Sequence, residues 1–187
     1  MVLLEETKAT LADLYRESGK AELIDGRIVR FMPTGDDPGC FALNIATMLR
    51  EFVKKMRLPG RVRGDNVGFL VPKLPSGRES FSPDASYFEG PKQHLDFIRG
   101  APIFAVEVRS KDGYGKTAER ELAEKRADYF AAGTKVVWDV DSKAYCIYAY
   151  SSLAPESMRV FRRGEIADAE PAIPGWRVAV DDVFEED

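Results

Sequence analysis

Residues 103–108, Ile-Phe-Ala-Val-Glu-Val, constrain this chain more than any other stretch. A nearly continuous apolar run of strand length is the pattern of a central strand buried on both faces. The chain beyond it has the layout of a crossover: residues 117–132 have helical spacing and stop at Gly133, and residues 135–140 are again β-prone. Glu107 is out of place inside the apolar run. Burying an unpaired charge is costly, so this carboxylate should be ion-paired, metal-bound or close to the strand's end.

The rest of the chain reads as strands with a few helices. Residues 10–18 suggest a short helix ending at Gly19, and residues 21–32 a hairpin turning at Asp25-Gly26. Residues 33–39 read as a loop. Residues 41–56 read as an amphipathic helix, with Phe41, Ile45, Met48, Leu49, Phe52, Val53 and Met56 at three- and four-residue steps. Residues 61–71 and 80–88 suggest two strands, 92–98 a short helix, and 145–150, 158–161 and 177–180 further strands. No repeat, linker or low-complexity segment divides the 187 residues. The expectation is one domain spanning 1–187, of α+β (mixed α/β) class, with a central mixed β-sheet flanked by helices. Trp138 and Trp176 suit packing anchors. Tyr145, Tyr148 and Tyr150 could form an oligomer interface, which would make the protein a homo-oligomer.

Several chemistries are excluded by what the chain lacks. A single histidine, His94, and two cysteines, Cys40 and Cys146, leave too few ligands for a zinc site of nitrogen and sulfur donors. No Gly-x-Ser-x-Gly elbow is present to serve a hydrolase triad. Two cysteines also cannot build a disulfide framework, which points to a reducing, cytoplasmic setting. No apolar run approaches the roughly 20 residues of a membrane span, and the N-terminus lacks a signal-peptide pattern, so no membrane partner is expected. The net charge of −4 argues weakly against nucleic acid. The charge is uneven, however. Residues 181–187 carry five acids, whereas residues 50–63 carry Arg50, Lys54, Lys55, Arg57, Arg61 and Arg63 against Glu51 alone. Such a stripe can contact phosphates, or it can be a solvated helix end.

Asp84 follows Pro83, whose missing N–H marks a strand start or edge. Asp84 and Glu107 on neighbouring strands could converge on one divalent cation, since hard cations want oxygen ligands. Equally, Asp84 could form a turn and Glu107 an internal ion pair. Glu121, Lys125 and Tyr129 lie along one helix stripe, which by itself is an ordinary solvated face. Residues 110–117 come close to a phosphate-binding loop, but Ser110 stands where its first glycine should be, so nucleotide hydrolysis is disfavoured. Lys116 and Arg120 at the start of the helix are free to meet DNA phosphates.

Taken in order, Ser82-Pro83-Asp84-Ala85-Ser86 and Phe104-Ala105-Val106-Glu107-Val108-Arg109-Ser110 resemble the Uma-two family of restriction-endonuclease-like proteins, within the PD-(D/E)XK nuclease superfamily. The likeness extends from Glu22-Leu23-Ile24-Asp25-Gly26 to Val137-Trp138-Asp139-Val140-Asp141. It implies a restriction-endonuclease-like core and magnesium- or manganese-dependent hydrolysis of DNA phosphodiesters. It implies that Asp84, Glu107 and the Val108 carbonyl hold the metal, and that Lys125, displaced onto the helix, stabilises developing charge. Glu22 would be an outer acid for a second metal or its water, and Tyr129 matches the family's helix near the substrate. The sequence departs from the family pattern in three places. A histidine near the first long helix is missing, the acid before the helix lysine is Glu121, and Arg109-Ser110-Lys111 replaces a stretch with Leu and Pro. Arg109 points to the same strand face as Glu107. It could clamp a phosphate of the substrate or neutralise Glu107. The second case would leave an inactive nuclease-fold module that binds DNA or another protein.

Overall fold

The computed structural model describes residues 8–186, so the first seven residues and Asp187 of the acidic C-terminal run lie outside the described residues. After the short helix α1 (Leu11–Leu14), strands β1 (Ala21–Ile24) and β2 (Arg27–Arg30) pair antiparallel. Asp25 and Gly26 join them, both at positive φ, as a tight two-residue hairpin requires. Helix α2 (Asp36–Lys55) begins inside the expected loop. Pro38 is tolerated there because a first-turn residue has no intrahelical partner for its missing N–H. Asp36 and Asp37 complement the positive end of the helix dipole, and Lys54 and Lys55 the negative end. The buried stripe of α2 is Phe41, Ile45, Leu49 and Val53.

Each of the two strands expected over 61–71 and 80–88 is broken. Their outer pieces, β3 (Arg61–Arg63) and β6 (Ala85–Phe88), pair in the central sheet. Their inner pieces, β4 (Phe69–Leu70) and β5 (Ser80–Phe81), form a small sheet with β7 (Ile98–Arg99). Asn66 at φ 59° turns the first strand, and Pro83, which cannot donate to a ladder, interrupts the second. Residues 92–98 form no helix. The chain turns there, with His94 at φ 54°, and enters β7.

Strand β8 (Phe104–Val108) crosses through helix α3 (Lys116–Ala131) to β9 (Val136–Asp141) in parallel. Then β10 (Cys146–Ser151) and β11 (Ala154–Arg162) add antiparallel. The sheet order is β11-β10-β9-β8-β6-β3, and β8/β9 is its one parallel pair, which makes the sheet mixed. A hairpin of β12 (Ile166–Asp168) and β13 (Arg177–Ala179) leads into the short helix α4 (Val180–Val183). No helix among the described residues is long and apolar enough to cross a membrane.

Strand alternation divides the core. One face carries Phe104, Val106, Val136, Trp138 and Val140 and is covered by α2 and the C-terminal segment, where Trp138 stacks on Trp176 at 5.1 Å. The opposite face carries Ala105 and Val137 with Phe69, Phe81, Phe88, Ile98 and Tyr129 of α3. Tyr129 stacks on Phe81 at 4.1 Å, joining the helix to the small sheet. Tyr145 packs against Phe41 and Phe184, and the Tyr150 ring lies 3.6 Å from the Arg126 guanidinium, so both tyrosines are engaged within the chain. The described part of the acidic C-terminal run is anchored through its two apolar residues. Val183 and Phe184 are buried, and Asp181 accepts the Gly164 N–H at 2.8 Å.

Candidate active site

Asp84 immediately precedes β6 and donates its backbone N–H to the Val106 carbonyl of β8. Ala85 and Tyr87 face the α2 core, so alternation turns Asp84, like Glu107, toward the α3 side. The Asp84 carboxylate accepts the Val108 backbone N–H at 2.6 Å and pairs with Lys20, whose ammonium also reaches Asp65 at 2.8 Å. Glu107 accepts from Lys125 at 2.9 Å and from the Tyr129 hydroxyl at 2.6 Å. Lys20, Asp84, Glu107, Val108 and Lys125 line one open cleft of about 1080 Å³.

The electrostatics reflect burial opposed by pairing. Burial pushes the Glu107 carboxyl above the ordinary carboxylate range, and Asp84 adds to that, while Lys125 opposes it. Burial also works against charge on Lys125, but Glu107 and Glu22 together hold its pKa above the usual value. Lys125 is therefore an ammonium at neutral pH. Lys20 likewise keeps its proton against burial through Asp84 and Glu107.

Glu22 does not line the cleft. It is wholly buried on β1, where it accepts the Ser82 N–H at 2.9 Å and pairs with Lys125 at 2.9 Å and with Arg78. Burial raises its pKa, but Lys125 and Arg78 prevail and hold the carboxyl below the ordinary range. Arg78 donates in turn to Asp128 at 2.8 Å, one turn along α3 from Lys125. Glu22 thus faces the lysine from behind. No group of three or more His, Cys, Asp or Glu side chains among the described residues forms a metal-holding cluster.

A family model described as "Putative restriction endonuclease" and named Uma2 matches residues 9–181. The chain belongs to the Uma2 family. No curated protein matches it. Among solved structures, it is similar to one described as a putative nuclease belonging to DUF820 from Anabaena variabilis ATCC 29413. The identity is 17%, covering 94% of this chain and 97% of that one, with a TM-score of 0.74. At that identity the likeness concerns the fold.

Against the Uma2 reading of the residues, several are placed otherwise than expected. Arg109 does not meet Glu107. Its buried guanidinium is held by Asp139 through two bonds of 2.7 Å and by Glu119. Tyr129 is fully buried, and its hydroxyl donates to Glu107. Lys116 and Arg120 are exposed on the first turns of α3, and neither lines the cleft. Asp139, which a nucleotide-hydrolysing site would need free, is consumed by Arg109. Sequence reasoning missed Lys20, Arg78 and Asp128. No spacing marks them, because each becomes significant only through a partner more than 45 residues away.

Proposed function

We propose that this Uma2 chain is a metal-dependent endonuclease that hydrolyses phosphodiester bonds in DNA, with magnesium or manganese as cofactor. One observation carries the reading: Asp84 and Glu107, from adjacent strand ends on one sheet face, line a single cleft with the Lys125 ammonium 2.9 Å from Glu107. The donors fit a hard cation. Two carboxylates and the Val108 carbonyl are all oxygen, and magnesium is commonly bound by one or two carboxylates with substrate phosphate and waters completing the shell. Such an ion supplies Lewis-acid polarisation of a phosphoryl oxygen and acidifies water.

The protein residues do the positioning. Val108 N–H fixes the Asp84 carboxylate, and Tyr129 and Lys125 fix Glu107. Lys125 is held by Glu22 from the buried side, so its charge stays aimed at the cleft. Being protonated, it acts by stabilising negative charge that develops on the phosphoryl group rather than by accepting a proton. Arg109 and Tyr129 support the site from beneath, as structural partners of Asp139 and Glu107 respectively.

The test is incubation of the purified protein with plasmid and single-stranded DNA, with and without manganese, beside Asp84→Ala. Cleavage that needs the metal and is lost in the variant is the expected result. Absence of cleavage on both substrates, or equal cleavage by the variant, would reject the reading.

A further inference from the structure

Beside the cleft, the edge strand of the sheet carries two arginines that no acid among the described residues pairs with. Arg61 and Arg63 lie on the edge strand β3, opposite Phe88 and Ser86 of β6. Val62 packs on the α2 side, so alternation turns both arginines to the face that carries Asp84 and Glu107. Asp65 and Asn66, just beyond Arg63, line the cleft itself. Positions 63 and 61 therefore lead away along β3 from the Asp65–Asn66 side of the cleft, with about 6.6 Å between successive same-face positions.

The buried arginines elsewhere are neutralised: Arg78 by Glu22 and Asp128, Arg109 by Asp139 and Glu119. Arg61 and Arg63, both half-buried, meet no carboxylate among the described residues at ion-pair distance. Arg61 donates to the carbonyls of Gly90 and Pro91 at 2.8 and 3.0 Å, and its Nε has no partner. Arg63 donates to the Val62 carbonyl at 2.8 Å. Carbonyl oxygens hold a guanidinium in place without cancelling its charge. Partial burial lowers the Arg63 pKa, and repulsion from Arg61 and Arg50 lowers it further. Fixed, mutually repelling cations at a half-open surface gain by meeting an anion.

We infer that Arg61 and Arg63 bind the phosphodiester backbone of the nucleic-acid strand that enters the Asp84–Glu107 cleft. A strand suits the site better than one free phosphate, because Arg63 and Arg61 follow one another along β3, leading away from Asp65 and Asn66, which line the cleft. The inference rests on the nuclease reading and adds to it the path of the strand. It also narrows the basic stripe of residues 50–63, since Lys54 and Lys55 sit in the last turn of α2, where they complement the helix dipole.

The test measures fluorescence anisotropy of a labelled oligonucleotide, as duplex and as single strand, over a range of salt without divalent metal. Four proteins are compared: wild type, Arg61→Ala/Arg63→Ala, Arg61→Lys/Arg63→Lys, and Arg162→Ala/Arg177→Ala, which removes equal charge from exposed remote positions. Circular dichroism checks that each is folded. If two phosphates are lost, the slope of log K against log salt for duplex falls by about 1.8 in the alanine pair. The lysine pair keeps most of the slope, and the remote pair keeps all of it. No binding by wild type, or equal slopes for the alanine pair and the remote pair, overturns the inference. The two readings fail separately. Unchanged slopes with metal-dependent cleavage that Asp84→Ala abolishes sink the track alone; the predicted slope change without any cleavage sinks the nuclease reading alone.

Discussion

The Lys125 ammonium sits 2.9 Å from the Glu107 carboxylate, bridging α3 to the end of β8. The same ammonium lies 2.9 Å from Glu22, so one lysine pairs with two carboxylates from different strands. Removing it leaves Glu22 with Arg78 and the Ser82 N–H, and leaves Glu107 with the Tyr129 hydroxyl and the charge of Lys20 nearby.

Lys125→Ala should therefore do two things. It should abolish cleavage, and it should lower stability by about 3 kcal/mol, the usual scale for stripping one partner from a buried ion pair. Urea unfolding measures the second effect. A variant as stable as wild type would show that the two carboxylates do not depend on this lysine.

Glu22 predicts the acid limb of stability. Its folded pKa is depressed, so below the unfolded glutamate value of about 4.3 the unfolded chain binds more protons and stability falls with pH. Glu107, with its raised pKa, contributes with the opposite sign. Glu22→Gln should flatten the loss of melting temperature as pH drops below about 4.3. Parallel pH profiles for the variant and wild type would contradict this.

Metal binding separates the acids from their supports. Manganese titrated calorimetrically into wild type should bind, and Asp84→Asn and Glu107→Gln should each weaken that binding by at least about tenfold, equivalent to about 1.4 kcal/mol. Asp84→Asn preserves an acceptor for the Val108 N–H, so its fold should survive. Equal affinity in both variants would move the cation elsewhere.

Arg109 is predicted to be a structural residue. Arg109→Ala strands Asp139, which is 3% exposed, without a counter-ion and should cost about 3 kcal/mol in urea unfolding. Arg109→Lys should recover only part of that, since an ammonium cannot reproduce the paired guanidinium bonds to Asp139. A loss of DNA affinity at unchanged stability would return Arg109 to the substrate.

Local pattern in the chain was enough for the frame of the site. The apolar run around Glu107, the helical spacing behind it and the β-prone stretch after Gly133 specify a strand–helix–strand crossover, because side-chain periodicity follows from backbone geometry within a few residues. The same periodicity places Lys125 and Tyr129 one turn apart on α3, where both reach Glu107. The breaks at 64–68 and 82–84 were less legible. Whether a β-prone stretch stays in one sheet depends on what pairs with it, and Phe69 and Phe81 pair with each other while Arg63 and Ser86 pair across another sheet.

The partner of each charge was decided by tertiary structure alone. Arg109 shares a strand face with Glu107, yet Asp139 on β9 and Glu119 on α3 claim its guanidinium. Glu22 stands with the acids in order along the chain, yet it lies behind Lys125, tied to Arg78. Lys20 carries no local signal and becomes the counter-ion of Asp84 across 64 positions. Spacing along the sequence determines which face a side chain occupies. Charge pairing depends on which distant side chains the packed sheet and helices bring within hydrogen-bond reach, and that is a property of the assembled fold.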